Sequence, residues 1–162
     1  MAFPNGERYE GEFKDGLFDG IGTYVFRNGD RYEGEFRDDT MTGRGTMKYA
    51  NGNVYTGAFC KGVRDGKGVL KFANGDVYDG DFRGDARQGQ GIYKFINGAR
   101  YEGDYQDNQR QGKGRYVYPS GEEYLGFFKN NLMDGPGVCT YGNGQQIKGV
   151  WKEGKFLHEV KD

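Results

Sequence analysis

Few groups in this chain could do covalent chemistry. His158 is the only histidine, so neither a His-based triad nor a zinc site built on histidines can be assembled. Cys60 and Cys139 stand alone, without CxxC spacing, and read as two reduced thiols. Gly-x-Gly elements such as Gly20 and Gly22 resemble phosphate cradles in isolation. They return every 23 residues and open no helix, which argues against that use. Glu10, Glu12, Glu33 and Glu35 could form carboxylate pairs, but strand spacing puts them on a solvated polar face. The expectation is no catalytic residue, no metal ligand, no cofactor and no enzyme. Function must then lie in surfaces, and the surfaces depend on the elements that carry them.

Those elements are set by a repeat. Tyr9, Tyr32, Tyr55, Tyr78, Tyr101 and Tyr124 are evenly spaced, and Ile147 takes the seventh place. Taking the tyrosine as position one, glycine fills positions three, twelve, fourteen and twenty-one. Aromatic rings fill positions five and eighteen. Most of the 31 glycines and most of the aromatics sit at these places. One array is expected over residues 1–162. Its full repeats are 9–31, 32–54, 55–77, 78–100, 101–123 and 124–146, and partial repeats are 1–8 and 147–162. No linker interrupts it.

Tyr-x-Gly-x-Phe alternates with period two, which is strand spacing. Four glycines per repeat disfavour helix. Each repeat therefore reads as two strands, A over positions one to six and B from about twelve to eighteen. The B-to-A turn, RNG or ANG in most repeats, suits a type I turn closed by a left-handed glycine, a three-residue hairpin loop. That loop sets position sixteen against the next position one and fourteen against the next three. Every apolar position then shares one face, whereas a two-residue loop would split them. The A-to-B loop must hold an even number of residues. Gly16, Asp39, Gly62, Asp85, Asn108 and Asn131 mark its left-handed place. The expected fold is all-β: a single-layer, elongated, twisted antiparallel meander of about thirteen strands, roughly 60 Å long at ~4.8 Å per strand.

Three surfaces follow. The first is an aromatic trough over the glycine row, formed by Tyr32, Phe36, Tyr55, Phe59, Tyr78, Phe82, Tyr101 and Tyr105. It is either packed on itself or open to a partner's extended segment or helix. The second is Arg64, Arg87 and Arg110, which share one repeat position. They are expected as a ridge along a loop edge, about 10 Å apart, either solvated or facing an acidic partner. The third is the sixth repeat, where the polar face turns apolar at Leu125, Phe127, Pro136, Val138 and Val150. The tail, with Phe156, Leu157 and Val160, is expected to fold over this patch and cap the array; the alternative is a partner-binding patch. The first strand, near Phe3, is an expected open edge, which invites end-to-end association.

The repeat YEGEF-K-DG followed by G-x-G, an aromatic and NG resembles the MORN repeat (membrane occupation and recognition nexus). The stretch GQGIYKFINGARYEGDY is similar to MORN-type radial spoke head proteins of cilia. Two departures stand out. Asp19, Thr42, Asp65, Gln88, Gln111 and Asp134 occupy a place where the family often has histidine. Only Trp151 keeps the family's usual tryptophan at position five. The resemblance implies a hairpin meander and a non-enzymatic scaffold for other proteins in a ciliary axoneme or related cytoskeletal assembly. Its alternative is a peripheral membrane module reading anionic lipid. A net charge of −1 gives no general attraction to nucleic acid or acidic membranes. MAFPNGERYEG lacks the apolar core of a signal peptide and no apolar run would span a bilayer, so a cytoplasmic protein is expected.

Overall fold

The computed structural model describes residues 1–161; Asp162, the last residue of the expected array, lies outside the described residues. No helix occurs among them. Two compact units divide at Asp85 and Ala86, inside the repeat of residues 78–100. The first carries β1 (Arg8–Lys14), β2 (Leu17–Val25), β3 (Arg31–Arg37), β4 (Thr40–Lys48), β5 (Val54–Cys60), β6 (Val63–Lys71) and β7 (Val77–Arg83). The second carries β8 (Ala86–Lys94), β9 (Arg100–Gln106), β10 (Gln109–Val117), β11 (Glu123–Lys129), β12 (Leu132–Thr140), β13 (Gln146–Lys152) and β14 (Lys155–Glu159). Within each unit every strand pairs antiparallel with the next in the chain. The single-layer all-β meander of hairpins is thus what forms. Its strands number fourteen among the described residues rather than about thirteen, because the tail contributes β14.

The B-to-A turn is the three-residue loop that parity requires. In the hairpin of β2 and β3, Gly29 N donates to Phe26 O at 3.0 Å and Phe26 N donates to Asp30 O at 2.8 Å. Gly29 sits at φ 95°, a conformation open to glycine at little cost. Asn28 Oδ1 accepts from Asp30 N at 2.9 Å and locks the turn. Tyr24 then faces Tyr32, and Gly22 faces Gly34.

The A-to-B turn is shorter than the sequence indicated. It holds two residues, both left-handed, as in Asp38 (φ 47°) and Asp39 (φ 65°) or Asn130 (φ 49°) and Asn131 (φ 70°). This is the type I′ pattern, favoured because its twist matches that of the strands. Strand B therefore begins near position nine, not twelve. The excess is absorbed by a bulge: Gly11 faces Gly22 and Phe13 faces Phe18, two steps on β1 against four on β2. An even excess keeps parity, so position ten returns to the aromatic face.

The bulge also changes the polar face. Lys67 and Asp81, opposite one another across β6 and β7, form an ion pair at 2.5 Å. Glu35, however, accepts from the backbone N of Arg44, and Asp104 from the backbone N of Lys113 at 3.0 Å. Arg115 faces Glu102 across the strands but pairs with Glu123. The bulge interrupts the ladder, and the neighbouring carboxylate takes the freed donor.

Both termini depart from expectation. Residues 1–3 turn back onto β1: Ala2 bridges Arg8, and Tyr9 N donates to Met1 O at 2.8 Å. The edge near Phe3 is thus covered as far as Tyr9. The tail does not fold over the apolar patch. It pairs with β13 as β14 and leaves Leu125 48% and Phe127 44% exposed. Backbone donors of β13 draw it into the sheet, and Phe156 lands edge-on against Trp151 at 5.2 Å, over Gly149. Leu157 stays exposed and Val160 reaches the margin of the patch. Removing everything from Lys155 onward should uncover Trp151 and Gly149. A melting temperature lower by several degrees is expected, roughly 2–4 °C per kcal/mol at this size. Calorimetry checks it, and an unchanged midpoint would count against the cap.

Candidate protein-binding face

The aromatic face is built in two tiers. The lower tier is the six repeat tyrosines, all fully buried. The rings of Tyr9, Tyr32, Tyr55, Tyr101 and Tyr124 lie on the glycine of the facing strand: a Cβ on Gly22 would stand 2.5 Å from Tyr9 Cε2. Close approach of ring to backbone, not φ, is what demands glycine there. Each hydroxyl donates to the carbonyl three residues on, as from Tyr55 to Ala58 O (2.7 Å) or Tyr101 to Asp104 O (2.7 Å). Position-five rings wedge between tyrosines edge-on. Tyr32 meets Phe36 at 5.1 Å and Phe59 at 5.0 Å; Tyr124 meets Phe128 at 5.3 Å and Trp151 at 5.1 Å. Edge-to-face pairing sets positive ring edges on negative faces.

This tier contains all eight residues named for the trough. Tyr32, Tyr55, Tyr78 and Tyr101 are 0% exposed, and Phe36, Phe59, Phe82 and Tyr105 are 3–6% exposed. Their rings are packed on one another and on glycine backbone, so a partner meets what lies above them.

The upper tier comes from position ten. Phe18 stacks on Tyr9 at 3.8 Å. Arg64, Arg87 and Arg110 occupy the same place and are strand residues of β6, β8 and β10, not a ridge on a loop edge. The two-residue turn and the even bulge put them there. The Arg64 guanidinium lies 5.2 Å from the Phe82 ring centroid, 5.7 Å from Tyr49 and 5.8 Å from Tyr55. Arg87 lies 5.4 Å from both Tyr93 and Tyr105. Arg110 covers Tyr116 at 5.5 Å, Tyr101 at 5.7 Å and Phe128 at 5.8 Å. These are cation–π distances.

Each arginine is tied to the next A-to-B turn. Nη2 donates to Asp85 O (2.7 Å), Asn108 O (2.9 Å) and Asn131 O (2.7 Å) in turn. The side-chain oxygen of the same turn residue accepts from the arginine's backbone N at 2.9 Å. The left-handed residue, legible in sequence as a turn former, thus doubles as a clamp between repeats, a role that its position 21 residues away concealed.

Above the tiers runs a series of clefts whose opposite bank is position eighteen. In the second unit a cleft of about 230 Å³ is lined by Arg87, Tyr93, Phe95, Tyr105 and Arg110. One of about 250 Å³ follows beside Tyr116, Tyr118 and Met133, and a third of about 250 Å³ beside Tyr118, Tyr141, Trp151 and Phe156. In the first unit Phe18, Tyr24, Phe26 and Met41 line about 270 Å³. Positions sixteen and eighteen, apolar or aromatic throughout the sequence, lie outside the expected trough residues and contribute two or three side chains to each of these walls. On the opposite face Leu125, Phe127, Pro136, Val138 and Val160 border about 360 Å³.

The tyrosines and the Cys139 thiol of the face are held neutral. Burial pushes Tyr32 and Tyr124 up to about 12. It does the same to Tyr55 and Tyr105 against the opposing pull of nearby arginines. Burial also raises the Cys139 thiol, which disfavours its thiolate. Among the described residues no group of three His, Cys, Asp or Glu could hold a metal ion. The tyrosines imply a direction for stability. Their folded pKa lies above the unfolded 10.0, so their contribution is complete below pH 10 and lost as pH climbs through 12. Melting temperature should fall steeply in that window while tyrosinate absorbance rises with unfolding. A flat profile to pH 12 would contradict the buried hydroxyls.

The family model for the MORN repeat matches residues 9–31, 32–54, 55–77, 78–100, 101–123 and 124–146. The chain belongs to the MORN-repeat family. The six MORN repeats coincide with the six tyrosine-led tiles, so each repeat delivers one fully buried tyrosine to the lower tier. No curated protein matches the chain in sequence. Among solved structures, it is similar to the SAS-4 (dCPAP) TCP domain of Drosophila melanogaster in complex with a proline-rich motif of Ana2 (dSTIL). Identity is 19%, TM-score 0.57, covering 93% of this chain and 81% of that one. It is also similar to the TCP10c domain of Drosophila melanogaster Sas-4, at 18% identity and TM-score 0.51, covering 91% and 88%. At this identity the likeness is one of fold.

Proposed function

We propose that this MORN-repeat chain is a non-enzymatic scaffold whose aromatic face holds an extended segment or helix of another protein. The observation that carries it is the succession of ring-lined clefts, one beside another, above a rigid buried tier. Aromatic-lined grooves suit extended and proline-rich segments, whose preformed backbone loses little entropy on binding. The Drosophila SAS-4 domain, a fold neighbour, is described in complex with such a motif, which supports the reading. The proposed setting is a cytoskeletal assembly, an axoneme first, on the resemblance to radial spoke head repeats. Binding of anionic lipid is the competing reading.

Selection of a displayed peptide library against the protein tests the scaffold. Binders are expected that lose roughly tenfold or more in affinity, about 1.4 kcal/mol, with Tyr118→Ala and keep it with Leu125→Ser on the opposite face. Binders indifferent to Tyr118 would overturn the groove reading. Salt-sensitive binding to anionic vesicles, with none to peptides or microtubules, would sink the scaffold in favour of the lipid module.

A further inference from the structure

Arg64, Arg87 and Arg110 look equivalent in sequence, but their turn partners differ. Asp85 answers Arg64 with a carboxylate: Oδ1 accepts from both the backbone N (2.9 Å) and Nε (3.3 Å). At the same repeat position Arg110 meets Asn131. The amide keeps the backbone bond at 2.9 Å, but it carries no charge. Arg110 forms no ion pair, and its Nε is buried with no hydrogen-bond partner. Nη2 is spent on Asn131 O at 2.7 Å. Nη1 makes no hydrogen bond and is not buried, so it carries the donors left for the cleft.

Three rings hold the guanidinium in place, so its donors are preorganised rather than mobile. Clefts of about 230 and 250 Å³ flank it. Tyr116, Tyr118, Phe128 and Met133 make the second mostly apolar, whereas the first sets Tyr93 and Phe95 among Arg87, Asn108 and Asn131. A guanidinium with no carboxylate and no acceptor for its buried Nε is an unmet electrostatic demand. The protein shows at Arg64 what satisfies the demand: one carboxylate.

We propose that Arg110 receives the carboxylate of an acidic residue in an extended partner segment, with an apolar residue of that segment filling the cleft beside Tyr116 and Tyr118. The proposal rests on the groove reading above and names its ligand. Spacing agrees with an extended ligand lying across the strands. One repeat advances two strands, ~9.6 Å, and three residues of polyproline II advance ~9.3 Å. Successive repeats therefore meet the same side of such a segment.

The test uses three pools of fluorescent peptides with proline-rich ends, randomised apolar flanks and a central Glu, Gln or phosphoserine. Binding to the full chain is read by anisotropy. The Glu pool should bind about tenfold tighter than the Gln pool, as for one charge-assisted contact in a shielded site. Arg110→Met, which preserves much of the stem, should erase that preference. Asn131→Asp supplies the missing carboxylate from within, so it should raise the melting temperature and weaken the Glu preference several-fold. Equal binding of Glu and Gln pools, a preference that survives Arg110→Met, or no thermal gain from Asn131→Asp overturns the proposal. A phosphoserine pool bound well above Glu overturns it in favour of a phosphate. Failure of every pool to bind, whatever its centre, overturns the groove reading itself.

Discussion

Tyr55→Ala should be among the most damaging single truncations in the first unit, at about 3–5 kcal/mol, the range for removing a fully buried large ring. Tyr55 is 0% exposed and lies edge-on to Phe59 at 5.1 Å and Phe82 at 5.0 Å. Its loss opens a hole that a single layer cannot refill from a second sheet. It also frees the Ala58 carbonyl, which accepts the Tyr55 hydroxyl at 2.7 Å. Because position-five rings are shared by neighbouring tyrosines, the damage should pass to adjacent repeats. Tyr55→Phe separates the two effects. It keeps the ring and loses the hydroxyl, so a cost of only about 1 kcal/mol is expected. Denaturant unfolding measures both, and similar costs for the two variants would refute a core held by ring packing.

Gly137→Ala is expected to cost nearly as much for the opposite reason. A Cβ there would stand 2.5 Å from Tyr124 Cε2 and 2.8 Å from its hydroxyl oxygen. The obstacle is a fully buried ring fixed between Phe128 and Trp151, so it has nowhere to move. Overpacking of this kind costs about 1–3 kcal/mol and sometimes more, and here it should reach the upper part of that range. A double variant discriminates. With Tyr124→Leu the obstructing ring is gone, so adding Gly137→Ala should then cost far less than it does alone. Additive losses would mean that the glycine serves the backbone rather than the ring.

The two variants also show how much was legible in the residues. Tyrosine and glycine at fixed spacing announced rings over bare backbone, and the face was assigned by parity from the B-to-A loop alone. Gly29 and Asn28 have strong turn chemistry, so that loop could be read locally. Of the other turn, the even parity and the left-handed place at Asp39, Asp85, Asn108 and Asn131 could be read, but not the length. Asp38, Asp39, Asn130 and Asn131 are non-glycine residues in left-handed conformations, and several loop lengths fit their composition. The bulge beyond them has a weak local signature, one glycine at position twelve. Misplacing the start of strand B left Arg64, Arg87 and Arg110 on a loop edge, when they cover the rings.

The tail follows the same division. Phe156 and Leu157 were apolar enough to announce a cap, but composition cannot distinguish folding over a patch from joining a sheet. Unsatisfied backbone of β13 decides for pairing, and only one of the two side chains then finds a ring to cover.

What the sequence by itself determined, then, was the repeat, the strand content, the face that each ring occupies and the scarcity of reactive groups. All follow from local periodicity and turn propensity. Tertiary structure alone decided that the tyrosine tier is closed and that position ten roofs it. It also decided that Asn131, unlike Asp85, leaves its arginine without a carboxylate. Those outcomes depend on contacts between residues some 21 positions apart, after a bulge whose size local propensity does not encode.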